Sequence, residues 1–148
     1  MKIAKFAIIL SCFISIGCAS IEMVPQTFKN YSINKIQEVN IGSPIIRNEN
    51  IKTLKGRRWV GLINSRDGWE YTERVTDDSF REELIYTGKS GSTIFISYRE
   101  YRKEFARPAF YHEVRYDLSS SSTVVFRQYR IKVIEATNEI IRYMVLAD

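Results

Sequence analysis

The sequence AFYHEVRYDL, at residues 109–118, alternates apolar and polar side chains with a period of two. One set of alternate positions holds the single histidine of the chain among apolar side chains, namely Phe110, His112, Val114, Tyr116 and Leu118. The other set holds Tyr111, Glu113, Arg115 and Asp117. Because successive side chains of a β-strand point to opposite faces, the pattern predicts a strand with one face in a core and the other in solvent, and it predicts a half-buried His112.

Similar patterns occur on both sides of this stretch. Residues 80–86 and 93–101 are rich in Ile, Phe and Tyr and flank a glycine-containing turn sequence at residues 88–91, which is typical of a hairpin. Residues 123–133 and 141–145 alternate in the same way. The sequence therefore predicts an all-β fold, an antiparallel meander of six or more strands forming a small sandwich or open barrel. The chain is rich in aromatic residues, with nine Tyr, eight Phe and two Trp, and such residues are natural core material.

The first 17 residues have the composition of a secretion signal. Lys2 and Lys5 are followed by an apolar run over residues 6–16, and the run ends at the small residue Gly17. A positive start, a short apolar helix and a small residue at the end are typical of a signal peptide. The run is too short to cross a bilayer, which takes about 20 apolar residues.

The sequence Ser15-Ile16-Gly17-Cys18 resembles the lipobox of bacterial lipoproteins, although that class prefers Leu at the position of Ser15. The resemblance implies cleavage between Gly17 and Cys18, lipid on the Cys18 thiol, and membrane anchoring through that lipid. Ala19 stands where an inner-membrane lipoprotein commonly carries Asp, which implies a location in the outer membrane. The alternative is ordinary cleavage near Gly17, which would give a soluble periplasmic or secreted protein.

Three segments are predicted: a signal peptide at residues 1–17, a lipidated cysteine and flexible tether at 18–40, and a β-rich globular domain at 41–148. The tether is polar and lacks a sustained period, and a flexible chain of that length spans roughly 25 Å. Removal of the signal leaves a net charge of +3, because the signal carries two Lys and no acidic residue. So small an excess, without a basic motif, does not predict binding to nucleic acid.

The sequence contains no motif of an enzyme or a metal site. A lone histidine lacks the partners of a zinc site. The serines at residues 119–122 follow Asp117 but have no nucleophile elbow, and they predict a turn. Glu82 and Glu83 are adjacent on a predicted strand, so they face opposite sides and cannot share a proton. We therefore expect no enzymatic activity and no cofactor.

Arg and Tyr are concentrated between residues 98 and 118, and both types are enriched in interface hot spots. The candidate partner-binding face comprises Tyr98, Arg99, Tyr101, Arg107, Tyr111 and Arg115. The same residues could instead form an ordinary sheet face with cross-strand charge pairs. The sequence favours an envelope lipoprotein that binds another envelope protein, for example in a secretion or conjugation assembly. The alternative is a carrier of a small molecule or lipid with a β-barrel cavity.

Overall fold

The computed structural model describes residues 19–63, 67–102 and 110–148, and every regular element in these ranges is a β-strand. The predicted signal peptide at residues 1–17 and the predicted lipidated residue Cys18 lie outside them. The ten strands are β1 (Ala19–Lys29), β2 (Ile36–Asn40), β3 (Pro44–Trp59), β4 (Trp69–Val75), β5 (Phe80–Ser90), β6 (Thr93–Arg102), β7 (Phe110–Asp117), β8 (Thr123–Phe126), β9 (Tyr129–Ala136) and β10 (Ile140–Ala147).

The strands form two antiparallel sheets. Sheet A has the order β1-β3-β5-β6-β7, with β4 paired to the outer part of β3. Sheet B has the order β2-β10-β9-β8. The all-β antiparallel fold is confirmed, and the meander order holds for β5–β7 and for β8–β10. The first three strands do not follow the meander order: β1 and β3 pair in sheet A, whereas β2, which lies between them in the chain, belongs to sheet B.

The turn between β5 and β6 shows how glycine sets the register. Ser90 pairs with Thr93, so Gly91 and Ser92 form a two-residue turn, with Gly91 at a φ of 59°. The predicted turn began three residues earlier, at Gly88. That residue instead lies at a bulge with a φ of 127°, a conformation that glycine adopts without steric cost.

The core lies between the two sheets, as in a sandwich. Its apolar side chains come from β3, β5 and β6 on one side and from β8, β9 and β10 on the other. The largest fully buried side chains are those of Tyr86, Tyr98, Tyr129 and Tyr143. Two of them bridge the sheets: the Tyr143 hydroxyl donates to the Ile45 carbonyl at 2.8 Å, and that of Tyr86 donates to the Thr137 carbonyl at 2.5 Å.

A three-stranded arm extends from the sandwich. It comprises residues 19–26 of β1, 51–59 of β3 and all of β4, and β5 pairs with β3 only up to Asn50. No residue in these three ranges is buried. At about 3.3 Å per residue, the central strand of the arm spans roughly 27 Å.

The arm corrects the flexible tether that was predicted over residues 18–40. Residues 19–29 are strand β1, which pairs with β3 along its whole length from Ala19–Arg58 to Lys29–Asn48. Residues 36–40 are strand β2, which pairs with β10. The two sheets therefore include residues that were assigned to the tether, and the folded unit does not begin at residue 41.

Candidate functional site

Four residues of the predicted partner-binding face do share the outer face of sheet A. Arg99 and Tyr101 lie at odd positions of β6, and Tyr111, which pairs with Arg99, lies on β7 together with Arg115. The Arg99 guanidinium lies 5.8 Å from the centre of the Tyr111 ring. The Tyr111 hydroxyl is 3.0 Å from the hydroxyl of Ser97, which orients the exposed ring.

Two other residues of that set do not join them. Tyr98 is only 1% exposed and points into the core, so it cannot contact a partner, and its inclusion in the face was wrong. Arg107 lies outside the described residues. His112, which the pattern placed half-buried, is exposed, because β7 is the last strand of sheet A and its inner face is only partly covered.

The rest of this outer face is occupied by ion pairs within the sheet. Arg47 contacts Glu49 at 2.5 Å and Glu83 at 3.7 Å, and Arg81 contacts the same two carboxylates at 3.7 Å each. The Arg81 guanidinium also lies 4.3 Å from the centre of the Tyr101 ring. Since these groups neutralise one another across the strands, the face carries little unpaired charge with which to attract a partner.

A polar cluster, which we call the Glu82 cluster, lies on the opposite, inner side of the sheet. One carboxylate oxygen of buried Glu82 accepts hydrogen bonds from the Tyr129 hydroxyl at 2.5 Å, the Gln128 amide at 3.0 Å and the Asn48 amide at 3.2 Å. Glu83, one residue on, lies with the ion pairs of the outer face. The prediction that these two carboxylates face opposite sides is confirmed.

Arg127 joins this cluster from the turn between β8 and β9. Phe126 pairs with Tyr129, so Arg127 is the first residue of a two-residue turn, and its φ is 51°. Its guanidinium donates to the Tyr98 hydroxyl at 2.5 Å and to the Glu100 carboxylate at 3.0 Å. A residue other than glycine persists in this conformation when its surroundings hold it there.

The protonation states of Glu100 and Tyr129 suit a cluster that holds the two sheets together. The hydrogen bond from the Tyr98 hydroxyl, assisted by Arg102 and Arg127, lowers the pKa of Glu100 to about 2. Burial and the hydrogen bond to Glu82 raise the pKa of Tyr129 above its ordinary value. At neutral pH the Glu100 carboxylate therefore accepts and the Tyr98 and Tyr129 hydroxyls donate. The cluster joins β5 and β6 of sheet A to the β8–β9 turn of sheet B.

The arm is the part of the surface that sequence reasoning missed. Ile21 is 77% exposed on one of its faces, and Met23 is exposed beside it. Tyr71 is exposed on the other face. Shallow depressions lie on both faces around Gly56, which has no side chain of its own to fill them. Exposed aliphatic residues at alternating positions of residues 19–26 were the available signal, but they were read as part of a tether.

Two further observations concern metal ligands and helices in the described part of the chain. Within residues 19–63, 67–102 and 110–148, no three His, Cys, Asp or Glu residues are grouped so as to hold a metal ion. The same ranges contain no helix of the length and apolarity needed to cross a bilayer. The sequence matches no protein-family model, and comparison with curated proteins and with solved structures found no match.

Proposed function

We propose that the protein is a lipid-anchored envelope lipoprotein that binds another envelope protein through the faces of its arm. The lipid would be carried on Cys18 in the outer membrane, as the lipobox resemblance implies. The observation that carries the interaction role is the arm, a three-stranded sheet without a single buried residue along residues 19–26, 51–59 and 69–75.

Small sheets gain stability by covering an apolar face, and this one leaves both faces to solvent. Contiguous exposed apolar side chains on a folded protein commonly mark an interaction site. Ile21 and Met23 share one face of the arm, because their partners Gly56 and Leu54 are alternate residues of β3. A partner that packs on this face would bury them together with Leu54.

The free edge of β1 supports the same role. In the described residues β1 pairs with β3 on one side only, so its other side presents backbone donors and acceptors. Such an edge accepts an added strand from another chain. The outer face of sheet A, with Arg99, Tyr101, Tyr111 and Arg115, is a weaker candidate because so much of its charge is paired within the sheet.

The carrier alternative has less support in the interior of the sandwich. A carrier needs an enclosed cavity lined by inward side chains. Here the inward positions of both sheets hold large buried tyrosines, including Tyr86, Tyr98 and Tyr143, that pack in one cluster with Ile and Val.

The proposal is tested by crosslinking in intact cells. A photoreactive residue at Met23 should give a crosslinked product of one defined mass with an envelope protein. The same residue at Val125, which is exposed on sheet B, is the control and should give none. Equal products at both positions, or none at Met23, would count against the arm as a binding surface.

The anchor is tested separately by metabolic labelling with palmitate. The unaltered chain should incorporate label and fractionate with membranes, whereas Cys18→Ser should lose the label and accumulate as uncleaved precursor. A Cys18→Ser chain that is processed and released as usual would refute the lipid anchor.

A further inference from the structure

The far end of the arm, which we call the tip, consists of Ala19, Trp59, Leu62, Ile63 and Trp69. Trp59 and Trp69 are paired in the β3–β4 ladder, and their rings meet edge to face with centroids 5.3 Å apart. The Val60 amide donates to the Gly68 carbonyl at 2.9 Å, one residue beyond the tryptophan pair on each strand. The tryptophan pair is therefore an aromatic platform held by the β3–β4 ladder.

Two aliphatic side chains extend past this platform into solvent. Leu62 is 70% exposed and Ile63 is fully exposed. A folded protein gains nothing from holding such side chains in water, and their transfer to an apolar environment is favourable. Described charged groups nearby have partners within the arm: Arg58 contacts Glu70 at 2.6 Å, the Arg57 guanidinium lies 5.1 Å from the centre of the Trp69 ring, and the Asp67 carboxylate accepts from the Trp69 amide at 3.1 Å.

The register of β1 brings the start of that strand to the same place. Ala19 pairs with Arg58, the residue next to Trp59. In the sequence, Ala19 is bonded to Cys18, the residue proposed to carry the lipid. A lipid on that residue would therefore be attached one residue from this end of the arm.

We propose that the tip inserts into the headgroup region of the bilayer and forms a second contact with the membrane beside the lipid on Cys18. Leu62 and Ile63 enter the apolar boundary, and the indoles of Trp59 and Trp69 lie at the interface, where Trp is enriched. This inference rests on the proposed lipid anchor, because the position of Cys18 selects a bilayer rather than a protein as the occupant.

The chain supplies its own reporter for the test, since its two tryptophans are Trp59 and Trp69. Lipidated protein purified from membranes is reconstituted into vesicles of phosphatidylethanolamine and phosphatidylglycerol, with and without brominated acyl chains. The tip proposal expects emission shifted to shorter wavelength and quenched by the brominated lipid. The proposal is overturned if the emission is unshifted, is not quenched by brominated lipid and is quenched by aqueous iodide. The same result is expected if the tip binds a partner protein instead, because that partner is missing from the vesicles and the tip is then in water.

A matched pair of double variants separates the tip from general surface apolarity. Leu62→Ser with Ile63→Ser keeps both tryptophans and should reduce the quenched fraction severalfold. Val125→Ser with Ile134→Ser alters two exposed apolar residues of sheet B and should leave quenching unchanged. Equal quenching in the two double variants would overturn the role of Leu62 and Ile63.

Mass spectrometry of the same samples distinguishes failure of the anchor from failure of the tip. Lipid on Cys18 without quenching retains the proposed anchor and overturns the tip contact. Quenching in a chain whose Cys18 is unmodified supports the tip contact and overturns the anchor.

Discussion

Replacement of Glu82 by alanine should destabilise the sandwich by about 3 kcal/mol. The change removes the acceptor of four hydrogen bonds, three on one carboxylate oxygen and one on the other from the Tyr98 hydroxyl, which also donates to Glu100. A buried donor left without a partner costs about 1–3 kcal/mol. The full penalty applies to the Tyr129 hydroxyl, which is fully buried, and part of it applies to the half-buried Asn48 amide. Exposed Gln128 can donate to water instead, so its lost hydrogen bond costs little. The remainder comes from the space left by the side chain, which lies among core residues.

Urea unfolding followed by far-ultraviolet circular dichroism measures this loss, because the free energy of unfolding falls linearly with urea concentration. A loss of that size should also lower the thermal midpoint by about 10 °C in a domain of this length. Glu135→Ala is the control. Glu135 is exposed and contacts Arg142 at 3.3 Å, and such surface pairs contribute about 0–1 kcal/mol. A loss below about 1 kcal/mol for Glu82→Ala would refute the view that the Glu82 cluster joins the sheets.

Three further predictions concern the cluster and the tip. Because the pKa of Glu100 is lowered to about 2, ionised Glu100 stabilises the folded state fully above pH about 4.5, and this stabilisation is lost as the pH falls toward 2. The thermal midpoint should therefore drop between these pH values, and it should drop by less in Glu100→Gln. Arg127→Ala should be less stable than Arg127→Gly by about 1 kcal/mol in urea unfolding, because only glycine adopts a φ of 51° without steric cost; equal stabilities would show that the turn relaxes. Gly68→Ala should alter tryptophan emission, because an added Cβ would lie 2.2 Å from the Trp59 ring. Gly42→Ala is the control: its φ is similar, 81° against 79° for Gly68, but an added Cβ would meet no atom within 4 Å, so emission should be unchanged.

Several strands of the sandwich were predictable because one face lies in the core and the other in solvent. That asymmetry produces a period of two in the sequence, as in β9, where Tyr129, Ile131 and Val133 are buried and the residues between them are exposed. The arm has no such asymmetry, since both of its faces are solvated, and β1 consequently has the composition of a loop. Its pairing with β3 joins Ala19 to Arg58, a contact between distant residues that no local pattern records.

The candidate site was predicted in part for a related reason. Arg99, Tyr101, Tyr111 and Arg115 share a face because the register of β6 and β7 aligns odd positions. Tyr98 was grouped with them by composition, although strict alternation places it on the inner face. An inward Glu82 could not be predicted, because a buried carboxylate depends on partners such as Tyr129 that the chain supplies 47 residues later.

The arm should open separately from the sandwich, as a cooperative unit of its own. Opening the arm exposes no buried side chain, so its amides are held mainly by the ladder hydrogen bonds of β1, β3 and β4. Local opening of such a region costs much less free energy than global unfolding. Amide hydrogen exchange should therefore be fast along residues 51–59 and slow along Ile94 and Ile96 in the core. A single free energy of unfolding then applies to the sandwich alone. Strand β3 belongs to both units, and we expect its outer end to lose its hydrogen bonds before the part that lies in the sandwich.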